Sequence, residues 1–181
     1  MIAEGAIRLR PLEAGDQERT RRWVNDPTVA RGVNRVRPVT QVEHEDWYRR
    51  LVTDPTQVAF AIERVEDSAH IGNCGLRGID PRVRQGELWI YLGDQATRGK
   101  GYGRDAVHAL LRYGFESLNL HRIALTVVVD NSRAIRVYES LGFVREGVSR
   151  DAAYLEGAYR DLVLMAMLRS EYDRGRERRD E

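Results

Sequence analysis

Between Arg98 and Gly103 the chain reads Arg-Gly-Lys-Gly-Tyr-Gly, a composition suited to holding an anion. Gly101 and Gly103 permit positive φ and close approach to the backbone. Beyond them Val107, Leu110, Leu111, Phe115 and Leu118 recur at helical spacing, so a helix is predicted to open at Gly103. Its first turn would add unsatisfied N–H groups and the positive end of a dipole. An anion such as a pyrophosphate would then be held mainly by backbone, with Arg98, Lys100 or Arg104 as charge partners at the rim. The glycines alone leave several readings open. A Walker loop needs Gly-Lys-Ser/Thr after a longer spacer, and here Tyr102 follows Gly101. The run from Gly101 to Ala106 does fit the dinucleotide fingerprint. However, the acidic residue required about twenty positions on is missing from His121–Thr126. Glycines serving only the turn into a helix are a further reading.

Bulk properties narrow the classes. The chain has 181 residues, 42% hydrophobic and 31% charged, with net charge +1, so no global field favours a nucleic-acid partner. Lys100 is the only lysine, a bias that follows the arginine-rich composition. Cys74 is the only cysteine, which excludes an internal disulfide and suits a reducing compartment. No run is long or apolar enough to span a bilayer, and the first ten residues lack the apolar core of a signal peptide. The expectation is a cytoplasmic protein with no membrane and no nucleic-acid partner. His44, His70, His108 and His121 are scattered without paired ligand spacing, so no metal site is predicted.

The elements that must position the loop follow from periodicity and capping. Ile7 and Leu9 alternate with arginines in a first strand that stops at Pro11. Asp16 can cap a helix ending near Asn25-Asp26-Pro27, and Thr40 with Glu43 forms a capping-box spacing for a second helix to about Leu51. Ala30–Val39 reads as loop. Strands are predicted at 58–63, 69–76 and 87–92, the last running into the glycine loop. Arg122–Val129 is a β-branched run expected to be buried on both faces. Asn131 or Ser132 should cap a short helix closed by Gly142, with Phe143 supplying the final apolar contact. Strands at 143–149 and 159–167 complete a single domain over 1–172, leaving 173–181 as a charged, flexible tail. The order is mixed α/β.

Two motifs together carry a resemblance. The loop fits Q/R-x-x-G-x-G/A, and Asn131 to Phe143 reads Asn-x-x-Ala-Ile-x-x-Tyr-x-x-x-Gly-Phe. With Gly86–Asp94 before the loop and Asn119–Gly147 after it, the chain resembles the GCN5-related N-acetyltransferases, in particular the RimJ/RimL-type branch. The resemblance implies a GNAT fold. That is a central mixed sheet of about six to seven strands flanked by helices, the strands splayed around acetyl-CoA. It implies direct transfer of an acetyl group to a primary amine in a ternary complex. A non-catalytic acyl-CoA-binding module and, more remotely, a dinucleotide oxidoreductase are the alternatives.

Such a transfer needs a deprotonated amine, a polarised thioester carbonyl and a proton for the departing thiolate. An alkyl amine with pKa near ~10 is free base in only about one molecule per thousand at neutral pH, so a carboxylate base helps. By resemblance Glu87, at the start of the strand flanking the thioester, is the candidate base, and Tyr138 is the candidate acid. Leu92 is the candidate backbone donor to the carbonyl. Arg98, Gly99, Lys100, Gly101, Tyr102, Gly103, Arg104, Asn131 and Arg133 are the expected acetyl-CoA contacts. Cys74 reads as a buried small hydrophobe, not a nucleophile. The acceptor region should lie in the N-terminal helices, where Trp23, Glu43 and Trp47 could meet a cationic amine. Arg31, Arg35 and Arg37 could instead meet a substrate phosphate. Nucleotide-linked amino sugars, N-terminal peptides and polyamines are the implied small-molecule or peptide acceptors, and a homodimer is the implied assembly.

Overall fold

The computed structural model describes residues 1–32 and 37–180, with side chains of the last helix described through 177. Two compact units emerge, one of Met1–Arg77 with Trp89–Leu110, the other of Gly78–Leu88 with Leu111–Glu181.

In the first unit the strand order is β1 (Ile2–Glu4), β2 (Ile7–Pro11), β3 (Val58–Arg64), β4 (His70–Asp80) and β5 (Gln85–Leu92), the last two strands having residues in both units. β1, β2 and β3 pair antiparallel, with Leu9 opposite Ile62, and β3 pairs antiparallel with β4, Ala61 opposite Asn73. Ile7 and Leu9 are fully buried, as a period-two strand with one covered face requires. Between them Arg8 and Arg10 turn to the buried Glu63 on β3, Arg10 through a 2.9 Å hydrogen bond. Four helices accompany these strands: α1 (Gln17–Asn25), α2 (Pro27–Gly32), α3 (Gln41–Thr53) and most of α4 (Tyr102–Arg112). The capping box at the start of α3 is formed in both directions, Thr40 accepting from the Glu43 N–H and Glu43 from the Thr40 N–H.

The second unit holds the first half of β5, then β6 (Arg122–Val128), α5 (Ser132–Leu141), β7 (Val144–Leu155), β8 (Ala158–Leu168) and α6 (Arg169–Asp180). Strand order is β5-β6-β8-β7. β5 and β6 are parallel over Gln85–Glu87 against Arg122–Ala124, whereas β8 is antiparallel to both β6 and β7. Asn131 caps α5 by accepting from the Ala134 N–H at 3.2 Å. At the other end Gly142 has φ +102°; its N–H donates to Glu139 C=O and that of Phe143 to Tyr138 C=O, both at 3.0 Å. This is the Schellman arrangement, and the Tyr138 and Phe143 rings close it at 5.7 Å.

Five details differ from expectation. β1 is an eighth strand, only three residues long and too short for a periodicity to show. α2 occupies the first residues of the expected loop, while 33–36 lie outside the described residues. On β6 only Ile123, Leu125 and Val127 are buried and Thr126 is exposed, so one face is covered, not two. α4 widens into a π turn at Tyr113–Ser117, where the Leu118 N–H donates to Tyr113 C=O. Finally, the expected tail is helical to Asp180, anchored by the buried Tyr172 stacked on Phe115 at 4.8 Å.

Candidate functional site

The glycine loop takes its shape from two residues in a left-handed conformation, Gly99 at φ +88° and Gly101 at φ +87°. Gly103, expected to share that freedom, is instead the second residue of α4. A Cβ at Gly101 would meet nothing within 4 Å, so this glycine serves the backbone conformation and leaves open space above it. A Cβ at Gly103 would have only the Leu92 side chain near it, at 3.9 Å, which places the end of β5 against the start of α4. Tyr102 is buried and hydrogen-bonded to Arg64, so its ring belongs to the packing and only its backbone faces the loop. Arg98, Lys100 and Arg104 are exposed around it. An alternating positive-φ pair leading into an eleven-residue helix fits a pyrophosphate held by successive N–H groups.

Leu92 precedes a residue whose direction is fixed. The Gly93 N–H donates to Ile71 C=O on β4 at 2.9 Å, so by strand alternation the Leu92 N–H points away from β4. The β5–β6 register runs from Gln85 opposite Arg122 to Glu87 opposite Ala124. Glu87 is half-buried there. On α5, Asn131 and Arg133 are exposed at the first turn and Tyr138 is half-buried two turns on. Burial pushes the Tyr138 phenol up to about 12, so it stays protonated at any working pH. Cys74 is fully buried, and burial likewise pushes its thiol up, which leaves no thiolate to attack a thioester.

A cavity of about 780 Å³ opens in the first unit between α1, the β3–β4 ends and the 93–97 turn. Trp23 forms one wall. Its ring packs against Gly93, where a Cβ would come within 2.0 Å of Trp23 Cδ2, so glycine is required. It also meets His70 edge-on at 4.8 Å. Behind the wall runs a buried polar chain. Arg10 grips Asp16 with two hydrogen bonds of 2.7 and 2.8 Å, and Asp16 Oδ1 lies 3.1 Å from His70 Nδ1. His70 Nε2 contacts Asn73 Oδ1 at 2.8 Å, and the Asn73 amide donates to Thr20 and to the Tyr91 hydroxyl. Burial opposes ionisation of Asp16, yet Arg10 and the Glu13 N–H outweigh it and hold the carboxyl at about 2. For His70 burial wins and lowers the pKa, against the opposing pull of Asn73 and Asp16.

Residues 6–144 match the profile of the acetyltransferase (GNAT) domain. The chain belongs to the GNAT acetyltransferase family. It is 32% identical over 170 residues to an uncharacterized N-acetyltransferase, p20, of Bacillus licheniformis, covering 92% of this chain and 94% of the relative. With a spermidine N(1)-acetyltransferase of Vibrio cholerae it shares 34% identity over 130 residues, 72% of this chain and 74% of that one. The crystal structure of a Vibrio cholerae spermidine N-acetyltransferase in complex with CoA and spermine superposes with TM-score 0.87 at 30% identity, covering 92% and 98% of the two chains. This GNAT protein is therefore an acetyl-CoA-dependent N-acetyltransferase with the mixed α/β fold of that family.

The expected acceptor residues separate. Trp23 lines the cavity. Glu43 is held by the capping box and by Arg37, and Trp47 packs on the cluster of Leu12, Leu51 and Ala61 and against His44. Arg35 lies outside the described residues. Sequence reasoning missed Arg19, Arg22, Arg64 and His70 in the cavity wall, because they come from three separate segments with no local pattern. Among the described residues no group of three or more His, Cys, Asp or Glu could hold a metal, and no helix is long and apolar enough to cross a membrane.

Proposed function

We propose that this GNAT enzyme moves the acetyl group directly to a primary amine in a ternary complex, with no acetyl-enzyme intermediate. The reading rests on the Gly99/Gly101 conformation at the start of α4, which suits the donor's pyrophosphate. Acetyl-CoA supplies the activated acyl group as a thioester. Backbone N–H groups of 99–103 hold its phosphates, with Arg98 and Arg104 as charge partners and Asn131 and Arg133 further contacts, while the Lys100 side chain lines the cavity beside α1. The Leu92 N–H faces the carbonyl oxygen. Glu87 takes the amine proton, directly or through water, and the buried Tyr138 phenol gives a proton to the departing sulfur. Inaccessibility of the Cys74 thiol supports direct attack over a ping-pong route.

Relatives named for spermidine support a polyamine acceptor, while amino sugars and N-terminal peptides share the same chemistry. A homo-oligomer is part of the reading, since a Vibrio cholerae spermidine N-acetyltransferase has a dodecameric structure. The test pairs thermal shift with thiol release. Acetyl-CoA should raise the melting temperature and NAD(P)H should not, and free CoA thiol should appear with at least one amine of a panel of polyamines, amino sugars, peptides and aminoglycosides. Binding without thiol release on any amine would leave an acyl-CoA-binding module. A shift with NAD(P)H alone would overturn the reading.

A further inference from the structure

We infer that the cavity beside α1 binds an acceptor amine that also carries a phosphate-type anionic group. The inference rests on the N-acetyltransferase reading above and narrows its acceptor.

Charge is the first observation. Arg19, Arg22, Arg64 and Lys100 line the cavity against only Asp26 and Asp94. Both carboxylates are already engaged in local turns. Asp26 accepts from the Thr28 N–H at 2.8 Å and from its hydroxyl at 2.5 Å, and Asp94 accepts from the Ala96 N–H at 2.9 Å. Of the cations, Arg64 is committed to Asp67 and Tyr102, whereas Arg19 makes a 3.5 Å contact to the His70 carbonyl. Arg22 and Lys100 are exposed and have no hydrogen-bond or ion-pair partner among the described residues. Guanidinium groups and a lysine converging on one space match a phosphate, which accepts from several donors at once.

Shape and sign complete the case. The cavity's volume of about 780 Å³ suits a small molecule, and Trp23 gives it a rigid apolar wall fixed on Gly93. A polyamine brings several ammonium charges and would meet the like charges of Arg19, Arg22 and Lys100. A phosphorylated amine presents one ammonium for acetylation and an anion for this wall.

Lys100 makes the test direct, because it is the only lysine and an amine-reactive label read on its peptide reports on the cavity wall. The full-length protein is first saturated with acetyl-CoA, so that the donor site is filled. Glucose 6-phosphate should then slow Lys100 modification by about tenfold or more, glucose should leave it unchanged, and Arg22→Glu should abolish the protection. In turnover, glucosamine 6-phosphate should have a KM about tenfold to a hundredfold below that of glucosamine, the gap closing in Arg22→Glu while the KM for acetyl-CoA stays within about twofold. The inference is overturned if the two sugars protect equally, if acetyl-CoA alone removes all labelling, or if Arg22→Glu remains protected. Labelling requires no turnover, so it decides this point even if none of these amines is acetylated. Thiol release on the amine panel decides the transferase reading separately.

Discussion

Tyr138 and Glu87 divide the proton work of the proposed transfer by environment. A phenol raised to about 12 by burial is a weaker acid than an exposed tyrosine, but it stays fully protonated at working pH, so a proton is in place for the nascent thiolate and is regained without help. Tyr138→Phe removes the donor without opening a cavity. Turnover should fall about a hundredfold or more, with acetyl-CoA affinity within about twofold in calorimetric titration. Unchanged turnover would take Tyr138 out of the mechanism. Glu87 makes a different demand, because its benefit depends on the amine's own protonation. Glu87→Gln should lower kcat/KM by ~10²–10⁴ at pH 7, and the deficit should shrink roughly tenfold per pH unit as an amine of pKa near ~10 becomes free base unaided. A deficit constant from pH 7 to 9 would mark Glu87 as a structural residue. The place of Tyr138 on α5 was legible because it sits at a fixed offset from the capping residues Asn131 and Gly142 on one helix. His70 and Asn73 were not, since their partners Asp16, Thr20 and Tyr91 are brought in by folding and no spacing announces them.

Among the elements, the strand–loop–helix unit of β5 and α4 carries the proposed donor site, and its conformation depends on single glycines. At Gly101 a side chain would have room, so substitution acts through φ alone. Forcing alanine to the left-handed region costs about 1–2 kcal/mol, which corresponds to roughly a five- to thirtyfold loss of acetyl-CoA affinity if the loop must hold that shape to bind. Gly101→Ala should therefore raise the Kd for acetyl-CoA while the melting temperature of the unliganded protein changes little. An unaltered Kd would show that the loop's left-handed turn is not needed for the donor. Capping logic was readable in the chain because it is local: Thr40 with Glu43, and Asn131 through Phe143, formed as their residue types dictate. Elements fixed by what they pair with or pack on were not readable. β1 exists by pairing with β2, and α6 is pinned by Tyr172 on Phe115, in a segment whose composition alone reads as solvated.

For the molecule as a whole, stability should depend on pH through the buried chain that ties the start of α1 to β4 and β5. Asp16, His70 and Asn73 are all poorly exposed, and neither ionisable member keeps its ordinary pKa. The folded His70 has a pKa below its ordinary value of 6.5, mainly through burial, so the unfolded chain binds the proton first. Its contribution is therefore complete above about pH 6.5 and is lost as pH falls through the lower folded value. Asp16 acts in the same direction in a more acid window, between its ordinary 3.8 and the folded value of about 2, where protonation would break the Arg10 fork. Chemical denaturation from pH 8 to 5 should show a plateau above pH 7 and a decline below about 6.5. His70→Gln, which keeps a polar group toward Asn73 but cannot titrate, should flatten that decline even if it lowers stability at pH 8. Asp16→Asn should leave the decline near pH 6 in place and remove the loss below pH 4. A His70→Gln protein with the parent's full slope between pH 7 and 5.5 would assign the transition to another group.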